Sequence, residues 1–119
     1  MQETPMNRNV EIRMRHWVYV DGVKFFGPGR LELLVRIAET GSMAKAAKDM
    51  GMSYKKAWAM VDEMNALGQN PYVVARKGGQ KGGGTELTET GRKVIEAYKE
   101  LNRKLMKVVE AESELLQLI

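Results

Sequence analysis

Residues 42–67, SMAKAAKDMGMSYKKAWAMVDEMNAL, contain two short helical segments that are separated by a glycine. Ser42 can cap a helix that ends at Gly51, and Ser53 can cap a second helix that runs to Leu67. A serine hydroxyl in these positions accepts hydrogen bonds from the free amides of the first turn. Glycine suits the turn between the helices because it tolerates a positive φ. The stretch therefore predicts two consecutive, closely connected helices.

Small side chains and a cationic first turn indicate what kind of helical pair this is. Ala47 and Ala57 allow the helices to cross closely, as in a helix-turn-helix, although an ordinary helical hairpin shows the same pattern. Lys55 and Lys56 stand at the positive end of the helix dipole, which costs roughly 0.3–1 kcal/mol per cation. Phosphate groups and base edges of duplex DNA would offset that cost. We therefore expect DNA contacts from the recognition helix (Ser53, Tyr54, Lys55 and Lys56) and from the start of the preceding helix (Ser42 and Lys45).

Downstream, residues 72–87 predict a hairpin with a basic tip. Tyr72–Ala75 is β-prone, Lys77–Gly84 contains five glycines, and Thr85–Leu87 can return as the partner strand. A glycine-rich tip can follow a groove or a phosphate backbone closely, so we interpret the hairpin as a flexible wing. The predicted wing contacts with DNA are Arg76, Lys77, Gln80 and Lys81.

Upstream, residues 10–26 predict a β-hairpin, and a first helix follows it. The apolar residues that alternate with period two are Val10, Ile12, Met14, Val18 and Val20. Asp21 and Gly22 fit a type I′ turn, because both positions need a positive φ. Apolar residues at helical spacing then continue to Gly41, so that three helices are predicted within residues 30–67.

Residues 88–117 predict a long C-terminal helix that pairs with a second copy of the chain. Its apolar positions keep an alternating spacing of four and three: Val94, Tyr98, Leu101, Leu105, Val108, Leu115 and Ile119. Such a repeat favours a partner helix along one seam. We expect its first part, Val94–Leu101, to pack on the chain's own core, and Glu112 interrupts the seam. The predicted homodimer interface consists of Leu105, Val108, Leu115 and Ile119.

Composition limits the classes of function. The chain has 119 residues and a net charge of +4, which suits a single domain (residues 1–119) with a polyanionic partner. It contains no cysteine and one histidine, His16, so we expect no enzyme, no metal site and no cofactor. The lack of cysteine, of an export signal and of any apolar run near the ~20 residues that span a bilayer predicts a cytoplasmic protein without a membrane partner.

Together these elements predict a mainly α fold with a small β component (α+β): a winged helix-turn-helix with an N-terminal hairpin and a long C-terminal helix. Double-stranded DNA and a second copy of the chain are its predicted partners. Two other classes remain open. The fold can serve as a protein-interaction module, since winged helices also act as docking domains, or as a non-specific architectural DNA-binding protein.

A group of short motifs gives a more specific indication. The motifs are Gly41-Ser42-Met43, Ala46-Ala47, Gly51, the run Ser53-Tyr54-Lys55-Lys56-Ala57-Trp58, the Gly78–Gly84 wing, and Leu87-Thr88 with Gly91. They closely resemble the DNA-binding domain of the ModE family of molybdate-responsive transcription regulators, over roughly residues 10–105. The resemblance implies a dimer that binds operators near molybdate-uptake or molybdenum-cofactor genes, with Lys77 and Lys81 as wing contacts.

The resemblance covers the DNA-binding part of that family in a standalone form. In full-length members the oxyanion is bound by C-terminal β-barrel domains, so we do not expect this chain to bind molybdate. Three possibilities remain: constitutive binding to DNA, a sensing domain on a separate protein, and an unrecognised effector pocket. Repressor and activator are not distinguished at this level.

Overall fold

Five helices and four strands make up the part of the chain that the computed structural model describes, residues 8–79 and 82–119. Of residues 77–79, 82 and 83 it describes the backbone alone. The elements are β1 (Val18–Val20), β2 (Val23–Phe26), α1 (Pro28–Thr40), α2 (Met43–Asp49), α3 (Tyr54–Leu67), β3 (Val73–Gly79), β4 (Gly82–Leu87), α4 (Glu89–Ala111) and α5 (Glu114–Gln117). The pairs β1–β2 and β3–β4 are both antiparallel. This is the α+β winged helix-turn-helix that the sequence predicts.

Hydroxyl caps begin three of these helices. The Oγ of Ser42 accepts a hydrogen bond from the Lys45 amide at 3.1 Å, and that of Ser53 accepts one from the Lys56 amide at 3.0 Å. Thr88 caps α4 in the same way. The helix α1 begins at Pro28, earlier than predicted. Proline suits the first helical position because its φ is already helical, and because an N–H at this position would make no hydrogen bond within the helix.

The first hairpin is shorter than predicted. Its turn has the expected form, with φ of 49° at Asp21 and 79° at Gly22. However, β1 begins at Val18, so the strand predicted from Val10 is wrong for most of its length. The reason is that β2 has only four residues, so that within residues 8–79 and 82–119 no strand pairs with residues 10–17. Their period-two pattern arises because alternate side chains of this segment pack against the rest of the protein.

That packing involves α4. Ile12, Met14 and His16 are partly buried, while the residues between them are exposed. The imidazole ring of His16 stacks on the ring of Tyr98 with 4.3 Å between their centroids. The Tyr98 hydroxyl also donates a hydrogen bond to the carbonyl oxygen of His16 at 2.6 Å. The segment before β1 is therefore anchored to α4 instead of to another strand.

The core lies between α1, α3 and the start of α4. Its largest fully buried side chains are Phe26, Leu33, Leu34, Ile37, Val61, Met64 and Val73. Burying each side chain of this size contributes roughly 1.5–3 kcal/mol to stability. Tyr98 closes the core from α4, where its ring meets that of Phe26 edge to face. This core holds the inner side of α3 in place, while the first turn of the same helix stays at the surface.

The wing is paired over more of its length than predicted. Strand pairing continues from Val73 opposite Leu87 to Gly79 opposite Gly82, with an irregular register between Arg76 and Gly79. The loose tip predicted for residues 77–84 is therefore mostly strand. Glycine weakens a strand but keeps both backbone hydrogen-bonding groups, so a glycine-rich segment can still pair.

The predicted C-terminal helix over residues 88–117 is interrupted. Helix α4 ends at Ala111, and Glu112 is extended, with φ of −73° and ψ of 127°. The Glu112 carboxylate accepts a hydrogen bond from the Leu115 amide at 2.8 Å, so it acts as a cap for the short α5. This hydrogen bond stabilises the beginning of a new helix, which competes with continuation of α4. Leu115 therefore does not continue the α4 seam. Within the described ranges, none of these helices is long and apolar enough to cross a membrane.

Candidate nucleic-acid interface

The first turn of α3 is exposed, capped and free of acidic residues. Tyr54 is 57% exposed, and Lys55 and Lys56 are exposed beside it. On the inner side of the same turn, Ala57 has no exposed surface and anchors the helix to the core. The Ser53 hydroxyl accepts a hydrogen bond from the Lys56 amide. Two cations are therefore held at the positive end of a helix dipole, where an anionic partner is favoured.

The turn between α2 and α3 sets the relative position of these helices. Gly51 has a φ of 68°, a left-handed conformation that favours glycine. The Met52 amide donates a hydrogen bond to the carbonyl of Ala47 at 3.0 Å, which closes the turn. Ala46 and Ala47 of α2 and Ala57 of α3 are at most 2% exposed. The small residues named from the sequence are thus buried, as a close crossing of the two helices requires.

The start of α2 lies next to the start of α3. Ser42 caps α2, and the hydroxyl of Thr40 accepts a hydrogen bond from the Ser42 amide at 3.1 Å. Lys45 is exposed on the first turn, which again contains no acidic residue. The two helix starts thus present Ser42, Lys45 and the first turn of α3 on neighbouring surfaces.

A cleft of about 360 Å³ lies between these helix starts and the wing. Its lining residues are Gly41, Ser42, Met43, Ala44, Tyr54, Trp58, Ala75, Arg76, Gly84 and Thr85. It therefore brings together three of the predicted contact residues, Ser42, Tyr54 and Arg76. The ring of Tyr54 meets the half-buried ring of Trp58 edge to face, with 6.5 Å between centroids. Trp58 supports the tyrosine from the side of the helix.

Two polar contacts that sequence reasoning missed hold the wing against the helices. The side-chain amide of Asn65 donates to the carbonyl of Val73 at 3.0 Å, and its oxygen accepts from the Tyr72 amide at 2.8 Å. At the other end, the Thr85 amide donates to the carbonyl of Gly41 at 3.0 Å. The only local signal for the first contact is a polar amide near the end of α3, and no local signal exists for the second.

Of the four predicted wing contacts, the structure describes the side chain of Arg76 alone. The side chains of Lys77, Gln80 and Lys81 lie outside the described part of the chain. Arg76 is described and half exposed, and its Nη1 lies 3.7 Å from Oε1 of Glu86 on the facing strand. An exposed pair at this distance adds little to stability. DNA contact by these four residues stays a prediction.

The four predicted dimerisation residues do not lie on one continuous helix. Leu105 and Val108 are on α4, where Leu105 is partly buried and Val108 is 70% exposed. Leu115 and Ile119 follow the break at Glu112 and are 50% and 59% exposed. The structure therefore separates the predicted interface into an α4 part and a part beyond it.

Comparison with known proteins agrees with this architecture. Residues 28–92 match the family described as "Bacterial regulatory helix-turn-helix protein, lysR family". "Molybdenum transport protein ModE" of Azotobacter vinelandii is 41% identical over 87 residues, which cover 73% of this chain and 32% of that relative. "DNA-binding transcriptional dual regulator ModE" of Escherichia coli (strain K12) is 45% identical over 74 residues, covering 62% and 28%.

A third relative carries a different name. "Molybdenum-pterin-binding protein MopB" of Rhodobacter capsulatus is 49% identical over 72 residues, which cover 60% of this chain and 27% of the relative. The resemblance to ModE regulators is thus confirmed over most of the chain. The chain spans about a third of the length of these relatives.

Proposed function

Since this chain belongs to the bacterial regulatory helix-turn-helix proteins of the lysR family, we propose that it is a sequence-specific, DNA-binding transcriptional regulator. The observation that carries the proposal is the first turn of α3, which is capped by Ser53 and exposes Tyr54, Lys55 and Lys56 with no acidic neighbour. Recognition helices enter the major groove with this end leading. The same residues therefore supply both base contacts and phosphate contacts.

Two further groups of predicted contact residues contribute to binding. Ser42 and Lys45 at the start of α2 are suited to the adjacent phosphates, because helix starts favour anions. Wing residues Lys77, Gln80 and Lys81 would reach the neighbouring backbone or groove. The cleft between them has a width set by the Thr85 and Asn65 hydrogen bonds. In this proposal the duplex meets the starts of α2 and α3 together with the wing.

The regulator acts as a homodimer, in which exposed Val108 and its neighbour Leu105 on α4 meet the same residues of a second copy. Val108 is 70% exposed in the single chain, which supports a role as an interface residue. A two-fold dimer places two copies of α3 in successive major grooves, about 34 Å apart. The genes under control are proposed to concern molybdenum, in keeping with the names of the relatives.

The test is a selection of bound duplexes from a random pool at near-physiological salt, with and without molybdate. We expect a palindromic motif with half-sites about one helical turn apart, that is 10–10.5 base pairs. A single half-site would contradict the dimer. Enrichment of no motif, together with affinity that depends steeply on salt, would reject specific regulation in favour of an architectural role.

A further inference from the structure

The base of the wing and the end of α1 meet in a close backbone contact. The Thr85 amide of β4 donates a hydrogen bond to the carbonyl of Gly41 at 3.0 Å. Thr85 is only 4% exposed. Gly41 ends α1 in a left-handed conformation, with φ of 68°, immediately before the cap of α2. The contact therefore joins the wing directly to the first residues of the helix-turn-helix.

The guanidinium of Arg76 lies at this junction. Its Nη2 is 2.6 Å from the position that a Cβ on Gly84 would occupy, and 3.5 Å from the corresponding position on Gly41. Its Nη1 is 3.7 Å from a carboxylate oxygen of Glu86. A guanidinium is planar and rigid, so it can lie flat where both neighbouring backbones have no side chain. The junction thus consists of two backbones in direct contact, with the guanidinium of Arg76 beside both of them.

Gly84 is required here for space. A Cβ at this position would lie 2.9 Å from the backbone oxygen of Gly41, in addition to its contact with Arg76. A side-chain end can rotate away from such a contact, but a backbone oxygen can move only together with the chain. The φ of Gly84 is outside the left-handed region, so backbone freedom does not explain the glycine. An alanine would therefore push β4 away from α1.

We propose that Arg76 is a positioning residue, which packs against Gly41 and Gly84 and so sets the angle between the wing and the α2–α3 unit, with Gly84 supplying the space. The inference rests on the proposed function, because this angle matters when the wing and α3 contact the same duplex. It is an alternative to the sequence-based prediction that Arg76 contacts DNA directly, and the Arg76→Met variant below distinguishes the two. The guanidinium links two contact surfaces and acts on DNA through them.

The first test is Gly84→Ala in the full chain, with Gly29→Ala as the matched control, since a Cβ on Gly29 would meet nothing within 4 Å. Hydrogen exchange of the Thr85 amide is measured without DNA. We expect exchange to be at least about tenfold faster in Gly84→Ala, while core amides of α3 keep their protection. The control should behave as the parent. Parent-like exchange of Thr85 in Gly84→Ala would overturn the proposal.

The second measurement is affinity for the selected operator. Gly84→Ala should bind about tenfold more weakly, because a wing that is displaced relative to α3 misplaces its contacts. Faster Thr85 exchange with unchanged affinity would overturn the role in DNA binding. A parent chain that bound no duplex would refute the proposed function itself. The exchange experiment would still test the junction, so the two failures are distinguishable.

Arg76→Met separates positioning from direct contact, since it removes the guanidinium and keeps a long side chain. Positioning predicts faster Thr85 exchange in this variant, and a double variant with Gly84→Ala that binds no more weakly than either single one. A direct phosphate contact predicts unchanged Thr85 exchange, additive losses of affinity, and a salt slope lower by about one. That second set of results would overturn the proposal.

Discussion

Replacing Lys55 and Lys56 with alanine should weaken DNA binding and raise stability at the same time. Both lysines are exposed in a first turn that has no acidic residue. Each cation at this end of the dipole costs roughly 0.3–1 kcal/mol, so removal of both should stabilise the chain by about 0.6–2 kcal/mol. Alanine also keeps the backbone amide that the Ser53 cap uses. The melting temperature should therefore rise by about 2–8 °C.

The same variant loses contacts with DNA. If each ammonium neutralises one phosphate, the slope of log K against log salt should fall by about 0.9 per lysine, or about 1.8 for both. Fluorescence anisotropy with the selected operator over a series of salt concentrations measures the slope, and circular dichroism measures unfolding. Lys93→Ala with Lys99→Ala on α4 is the matched control, because both lysines are exposed, both precede Leu105 by more than one turn, and the charge change is equal. The control should keep the slope.

Two results would refute this reasoning. An unchanged salt slope would mean that the first turn of α3 does not meet phosphate, which removes the main support for a recognition helix. Weaker binding with a lower melting temperature would mean that the lysines stabilise the fold, and that the loss of binding reflects partial unfolding. A higher melting temperature together with weaker DNA binding is expected only when the two lysines destabilise the free chain and serve to bind an anionic partner.

Two further predictions concern the dimer and alkaline pH. Val108→Glu should give a folded monomer in sedimentation experiments, because Val108 is 70% exposed in the single chain and a buried, unpaired carboxylate at an interface is costly. Leu118→Glu, beyond the helix break and 79% exposed, should stay dimeric; a dimer in both variants would contradict the α4 interface. Burial raises the pKa of Tyr98 and of Tyr72 above the ordinary value of 10.0. The unfolded chain therefore ionises first, and the free energy of unfolding in urea should fall as pH rises past 10.0. Tyr98→Phe should reduce that fall, and an equal fall in the variant would show that Tyr98 does not contribute.

Much of the helix-turn-helix is predictable from the sequence, because its signals are local. A hydroxyl cap such as Ser53 acts on an amide within the same turn, and Gly51 needs its positive φ whatever surrounds it. The small residues at the helix crossing are also visible as residue types. Such features involve few residues, so their identity and spacing are sufficient to predict them.

Other features depend on what each segment meets in space. The alternation in residues 10–17 is the same for a strand and for a segment packed on α4, and only the contact with Tyr98 distinguishes them. At the end of α4 the deciding contact is itself local, because the Glu112 carboxylate accepts a hydrogen bond from the Leu115 amide three residues later. The sequence shows Glu112 as an interruption of the apolar seam, but a polar residue in a seam is compatible both with a continuous helix and with a break.

By itself, the sequence determined the class of the fold and the surface that carries the recognition helix, because caps, turn residues and periodicity act over a few neighbouring positions. Only the tertiary structure decided where the wing lies relative to that helix. Gly41 meets Arg76 and Gly84, which are paired across the wing, although it is far from both in the chain. No local propensity encodes such a contact, since it exists only after separate elements have packed around one core.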